Sequence, residues 1–188
     1  MPAADIKAQP KRLPGDEGMW VFVLGDLLMF SLLFATYLFY RAQAPADYEA
    51  AQQTLNLALG TINTLVLLTS SLFVAKALRS ARQGAPKTMH TQINMAIGLG
   101  ALFCTIKIIE YAQKASADIG LGSGEFFMFF FMLTGIHLVH VLIGLAALFV
   151  TTQRIASDPR LLESSAIYWH LVDLLWVVLF PLLYLIRT

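Results

Sequence analysis

The sequence predicts an all-α polytopic membrane protein, a bundle of five transmembrane helices, on three observations. Of 188 residues, 57% are hydrophobic and 13% charged, too apolar for a water-soluble domain of this size and normal for a chain buried in lipid. Five apolar stretches are each long enough to cross a hydrocarbon core, which takes about 20 helical residues at about 1.5 Å each. Lys and Arg gather on alternate connections between them. The formal net charge of +1 hides that unevenness. No basic tract points to nucleic acid, so that class of function is set aside.

The first span, residues 19–40, follows a polar segment, 1–18, that carries Lys7, Lys11, Arg12, Asp16 and Glu17. Its apolar run is too long for a signal-peptide core and has no small-residue cleavage site behind it, so it is expected to remain as a helix. The remaining spans are 55–78, 91–112, 126–151 and 166–186, which makes 19–188 one transmembrane unit. Polar connections of about a dozen residues join them, with turn formers such as Gln83-Gly-Ala-Pro86 and Gly120-Leu-Gly-Ser-Gly124. They leave no room for a soluble domain.

Charge orients the bundle. The N-terminal segment, the 79–90 and 152–165 connections and Lys76 hold nine Lys and Arg residues; Arg41, Lys114 and Arg187 lie opposite. The N-terminus is therefore expected in the cytoplasm and the C-terminus in the periplasm. Lys107 is left within the third span, and the lone Cys104 excludes an intramolecular disulfide.

Ionisable groups at membrane depth cost free energy unless they meet a partner or water, so those inside the spans are the first candidates for function. Asp26 lies roughly 10 Å into the membrane, Asp173 at a similar depth on the last helix, and His170 one turn nearer the cytoplasm. His137 and His140 fall near mid-membrane, so Asp26, His140, His170 and Asp173 are expected to converge in the inner half. Lys107 and Glu110 belong to the outer half. His137 with His140, Lys107 with Glu110, and His170 with Asp173 are each spaced i,i+3, which sets both members on one helical face.

Three readings of these residues stand open. In one they are interhelical hydrogen bonds that fix packing, together with Asn63, Ser70, Ser71, Thr134 and Gly135. In another the histidines and Asp173 hold zinc, copper or non-haem iron, for which the ligand types suit although the depths of His137 and His170 do not match. In the third, Asp26, His140 and Asp173 relay or collect protons.

Thr134-Gly-Ile-His-Leu-Val-His-Val141 followed by Gly144, and Tyr168-Trp-His-Leu-Val-Asp-Leu-Leu-Trp176 followed by Tyr184, resemble the two C-terminal signatures of subunit III of haem–copper cytochrome c and quinol oxidases. Upstream, Gly18-Met-Trp-Val-Phe-Val-Leu-Gly-Asp-Leu-Leu-Met-Phe30 is similar to the helix that holds that family's buried carboxylate, Leu57-Ala-Leu-Gly-Thr-Ile-Asn-Thr64 to its next helix, and Glu110-Tyr111 to the Glu-Tyr that ends the third. The resemblance runs in order from Gly18 onward. It departs twice: larger members have seven helices, of which the two before the buried carboxylate have no counterpart here, and Asp26 stands where Glu is usual. The length is most similar to short five-helix members, such as the accessory homologue associated with nitric oxide reductases and small quinol-oxidase subunits.

The resemblance implies a non-catalytic accessory subunit in a bacterial inner membrane. Such a subunit binds no haem, copper or other metal itself, packs against the catalytic subunit I that carries haem with copper or non-haem iron, holds phospholipid, and sustains proton uptake and turnover stability. It implies Asp26 as the buried carboxylate, Lys107 with Glu110 as an internal ion pair, and Asn63, His137, His140, His170 and Asp173 as an interhelical polar network, the last four locking the fourth and fifth helices. Two other classes remain open: a stand-alone proton or small-solute transporter, against which the lack of an internal repeat counts, and an assembly or haem-delivery factor.

Overall fold

The computed structural model describes residues 15–154 and 159–186, so Lys7, Lys11 and Arg12 lie outside the described residues. All regular structure among the described residues is helical: α1 (Glu17–Gln43), α2 (Pro45–Gln53), α3 (Leu57–Arg82), α4 (Pro86–Ser116), α5 (Glu125–Arg154), α6 (Pro159–Phe180) and a π-helical turn, Pro181–Leu185. Five of these elements are long and apolar enough to cross a membrane.

The helices outrun the expected spans because hydropathy sees only the part of a helix that faces hydrocarbon. Pro86, at the start of α4, has a φ suited to a first helical turn and lacks an N–H that would go unused there. The helix therefore begins five residues before the apolar run and reaches 31 residues, about 46 Å, more than the roughly 30 Å of a hydrocarbon core. The α3–α4 connection is correspondingly short. Gly84 adopts φ +70°, and the Ala85 amide reaches back to the Ser80 carbonyl at 3.0 Å, a glycine-terminated helix end.

The chain runs up and down, and both ends of the bundle are tied. At one end the Gly15 and Asp16 amides donate to Glu163 (3.4 Å) and Ser164 (3.2 Å), and Arg82 pairs with Glu163 at 3.2 Å. At the other, Lys114 of α4 donates to the Thr54 carbonyl at 2.6 Å, and Arg41 of α1 to the Ile186 carbonyl at 2.5 Å. In its most apolar stretch α6 is 67% buried and α1 17%, so α6 is the hub and α1 the outermost helix.

The segment after α1 was expected as a plain connection, and its nine-residue helix is a correction. Pro45 at the first position, Asp47 in the first turn and the run Glu49-Ala-Ala-Gln-Gln53 are helix signals. Hydropathy ignores them. Gln52 is buried and its amide donates to the Leu182 and Leu183 carbonyls at 3.2 and 3.0 Å, while the Tyr37 hydroxyl donates to the Leu182 carbonyl at 3.2 Å. These carbonyls belong to the last turn of the chain's last helix, where no intrahelical partner exists. Thus α2 caps α6. Beside them, burial first and the Glu125 carboxylate second push the Tyr48 hydroxyl up to about 12, so Tyr48 keeps its proton in the folded chain and stability falls as pH rises past its ordinary value of 10.0.

Lipid gives helices no hydrophobic reason to associate, so close packing has to supply one. Trp169 of α6 is fully buried because two glycines make room for it. A Cβ on Gly100 of α4 would lie 2.7 Å from the Trp169 ring, and one on Gly144 of α5 2.8 Å from it. Gly60 of α3 admits Phe180 and Tyr184 in the same manner, at 3.0 Å. Gly135, expected among the packing residues, faces open space instead. Gly100→Ala and Gly144→Ala should each cost about 1–3 kcal/mol through overpacking. Gly98→Ala and Gly135→Ala, whose added methyls meet nothing within 4 Å, should be neutral or stabilise by up to about 1 kcal/mol through helix propensity. Denaturant unfolding of the purified protein measures both pairs.

Candidate functional site

The ionisable groups at membrane depth separate into three places. The innermost is a closed trio joining α4 to the π turn. Lys107 Nζ lies 2.7 Å from Glu110 Oε2 and donates to the Tyr184 hydroxyl at 2.9 Å. Tyr184 in turn donates to Glu110 Oε1 at 2.6 Å. Each of the three is at most 2% exposed, and the Lys107 ammonium also sits 4.5 Å from the centre of the Trp176 ring. Both charges thereby keep strong partners that replace water. Helix geometry explains the trio: three residues separate Lys107 from Glu110 on one face, and Pro181, which has no N–H to donate, opens α6 into the π turn that carries Tyr184.

The second place joins α1 to α5. His140 Nδ1 is 2.8 Å from the Ile136 carbonyl. A carbonyl only accepts, so Nδ1 carries a hydrogen and Nε2 is the nitrogen left to face Asp26, at 3.4 Å from Oδ2. The 3.4 Å separation is an ion-pair distance, and Asp26 Oδ2 is otherwise buried without a hydrogen-bond partner among the described residues. The Phe30 ring meets the His140 ring edge-on at 5.4 Å, and the Tyr168 hydroxyl donates to the His140 carbonyl at 3.4 Å.

The third place joins α3 to α6. The Ser71 hydroxyl lies 2.6 Å from His170 Nδ1 and also faces the Asp173 carboxylate. Asp173 is therefore apart from Asp26, and the expected convergence of Asp26, His140, His170 and Asp173 is divided between two interfaces. His137 joins neither: it is fully buried, its ring packs 5.1 Å from Trp176 and 5.7 Å from Phe103, and both ring nitrogens lack a hydrogen-bond partner among the described residues. A spacing of three gives a shared face only loosely, since three residues turn a helix about 60° short of a full circle. That remainder sends His137 toward α4 and α6 and His140 toward α1. Among the described residues no three His, Cys, Asp or Glu side chains stand together as a metal-holding group, so the ligand types noted in the sequence are dispersed.

Neutral hydrogen bonds tie the other interfaces. Asn63 donates to the Phe103 carbonyl at 3.4 Å and Ser70 to the Ala96 carbonyl at 2.8 Å, both from α3 to α4. Thr134 meets the Tyr111 hydroxyl at 2.7 Å. The α5–α6 interface is held by Thr151 and Ser165 at 2.8 Å, together with the Tyr168 contact; among the described residues no histidine side chain hydrogen-bonds across it, and His137 crosses it only through its ring contact with Trp176. Sequence reasoning missed Thr64, which accepts from the Trp176 indole at 2.9 Å, and Gln52; both sit in polar or ordinary helical contexts with no local signal of their partner.

Lys107→Met should destabilise the protein by about 3–5 kcal/mol, because it strands the Glu110 carboxylate in the interior. Lys107→Met combined with Glu110→Leu should recover most of that loss. Unfolding of the two variants side by side checks it, and equal destabilisation by the double change would show that packing and not charge dominates.

Comparison with known proteins agrees with this architecture. The family described as cytochrome c oxidase subunit III matches residues 14–187. A protein of Staphylococcus aureus (strain USA300) described as probable quinol oxidase subunit 3 is 33% identical over 178 residues, which cover 90% of this chain and 87% of that protein. The cytochrome c oxidase subunit 3 of Synechocystis is 28% identical over 176 residues, covering 90% and 74%. With the family match across residues 14–187 and a 33% identical relative covering most of both chains, this multi-pass membrane protein belongs to the cytochrome c oxidase subunit III family.

Proposed function

We propose that this chain is the accessory subunit III of a respiratory haem–copper oxidase in a bacterial inner membrane, without catalytic activity of its own. The catalytic cofactors of such complexes sit in subunit I, against which this chain packs, with phospholipid held at its surface. The single observation that carries the reading is the family match across 14–187. The relatives above are oxidase subunits, which favours an oxidase over a nitric oxide reductase as the complex.

Within that role Asp26 and His140 form a proton-holding pair. The support is geometric: Nδ1 is committed to the Ile136 carbonyl, and Asp26 faces the remaining nitrogen at a depth where only a neutral pair is cheap. The N-terminus is cytoplasmic and the C-terminus periplasmic, a reading supported by the Lys and Arg bias. Arg79, Arg82, Lys87 and Arg160 belong to the cytoplasmic end, and Arg41 and Lys114 to the other.

Purification through a tag on this chain should bring down a haem-containing subunit in equal amount; recovery of the chain free of any haem protein would favour the transporter reading, and a substoichiometric, transient haem partner the assembly factor. In the complex, Asp26→Asn should leave initial turnover within about twofold of wild type. Activity should then decay faster during sustained turnover, most at pH 9, where protons are scarce. Equal persistence at pH 6 and pH 9 would reduce Asp26 to a packing residue. A cysteine placed at Gly84 should be shielded from a membrane-impermeant label in intact cells and one at Ala117 should react; the reverse pattern inverts the orientation.

A further inference from the structure

Asp26 Oδ2 is buried with no hydrogen-bond partner among the described residues, and its 3.4 Å to His140 Nε2 is an ion-pair distance. A buried carboxylate oxygen in that state needs a donor. The side chain placed to give one is Tyr168 of α6. Its ring packs 5.7 Å from that of Phe22, which stands about one helical turn before Asp26 on α1. Its Cε1 lies 3.5 Å from where a Cβ on Gly144 of α5 would stand. Tyr168 thus fills the corner between the α1 turn that carries Asp26 and the α5 turn that carries His140, and its hydroxyl lies within the field of the Asp26 carboxylate.

The hydroxyl hydrogen of Tyr168 is weakly committed. It points to the His140 carbonyl at 3.4 Å, longer than the about 2.5–3.0 Å of an O–H···O bond. That carbonyl lies inside α5 (Glu125–Arg154), where the Gly144 amide is its helical partner, so it does not depend on a second donor. Asp26 Oδ2 has none. The Asp26 side chain keeps 12% of its surface exposed on α1, the least buried helix, so its carboxylate has room to turn. Apart from His140, the other titratable groups of the helices around α1 face elsewhere. His137 of α5 packs on Trp176 and Phe103. On α6, Glu163 lies by Gly15 and Arg82, and His170 and Asp173 face Ser71 of α3. Asp16 and Glu17 stand at the near end of α1, and Asp47, Tyr48 and Glu49 belong to α2 beyond its far end.

We propose that Tyr168 is the positioning residue of the Asp26–His140 pair: its hydroxyl rests on the His140 carbonyl while Asp26 holds a proton, and donates to the Asp26 carboxylate once that proton has left. Tyr168 keeps its own hydrogen throughout, and the proton exchanged is that of Asp26. A hydrogen bond to the charged form of a carboxyl favours that form. The hydroxyl therefore sets the pH at which Asp26 releases and regains its proton. This role rests on the reading of Asp26 as proton-holding and adds the group that regulates it.

An apolar carbodiimide reacts with the protonated carboxyl and not with the carboxylate, so labelling of Asp26 in the purified complex, followed from about pH 5 to about pH 10, reads its proton. In Tyr168→Phe the labelling should persist to higher pH, with the half-labelled point moved up by at least about one unit. Thr151→Val, which cuts a different α5–α6 hydrogen bond, should leave that point unmoved. A half-labelled point that stays or falls in Tyr168→Phe overturns the proposal, as does an equal rise in Thr151→Val. A second readout needs no variant of Tyr168. In the complex carrying isotope-labelled tyrosine, an infrared C–O stretch should shift over the pH range in which Asp26 labelling falls, and the shift should be missing in Asp26→Asn; a stretch constant across that range also overturns the proposal. Labelling of the unaltered chain that is flat with pH removes the proton-holding reading of Asp26, and the role of Tyr168 with it. Labelling that falls with pH but ignores Tyr168→Phe strikes Tyr168 alone.

Discussion

Lipid supplies no hydrogen bonds, and the rest of this structure depends on how α6 meets that constraint. Its last turn exposes carbonyls with no helical partner, and Tyr37, Arg41 and Gln52 from α1 and α2 take them. Its midsection buries two tryptophans, one seated on Gly100 and Gly144 and the other donating to Thr64. Its π turn presents Tyr184 to Lys107 and Glu110. Every other membrane-spanning helix thus meets α6 through a close approach or a polar contact. Packing density and satisfied polar groups do together what hydrophobic burial does in water.

The polar groups follow the same logic in different degrees. Lys107, Glu110 and Tyr184 form a closed ring of donors and acceptors and are sealed in aromatic side chains, which suits a permanent structural bond. Asp26, on the outermost helix α1, faces His140 of α5, and both are slightly exposed. The difference between the two is position: the trio reaches the most buried helix, α6, at 67%, and the pair reaches the least buried, α1, at 17%.

The five membrane spans were legible because hydropathy over 20 or so residues is a property of the chain alone. A spacing of three likewise places Lys107 and Glu110 on one face from the helix itself. What escaped reading was tertiary. Tyr184 reaches the Lys107 pair only through the π turn at Pro181, and no spacing rule links residues in separate helices. The single polar convergence expected from depth came apart because depth fixes a height along the membrane normal and says nothing of azimuth. Asp26 and Asp173 share a height and face different neighbours. Gly100 and Gly144 carry no mark that distinguishes them from Gly98 and Gly135 until Trp169 is set beside them. The short helix α2 was hidden because its sequence is polar, although Pro45 and its run of helix formers announced it.

The central claim is that Lys107, Glu110 and His140 are held at membrane depth by partners fixed within the fold, and His140 states it most sharply. Solid-state nitrogen NMR of the histidine-labelled complex in lipid, with the His140 signals assigned by their loss in His140→Gln, reads the hydrogen on each ring nitrogen directly. The account predicts a hydrogen on Nδ1 in every protonation state, bonded to the Ile136 carbonyl, with the exchanging proton at Nε2 beside Asp26. A neutral ring with its hydrogen on Nε2 and a bare Nδ1 would contradict it.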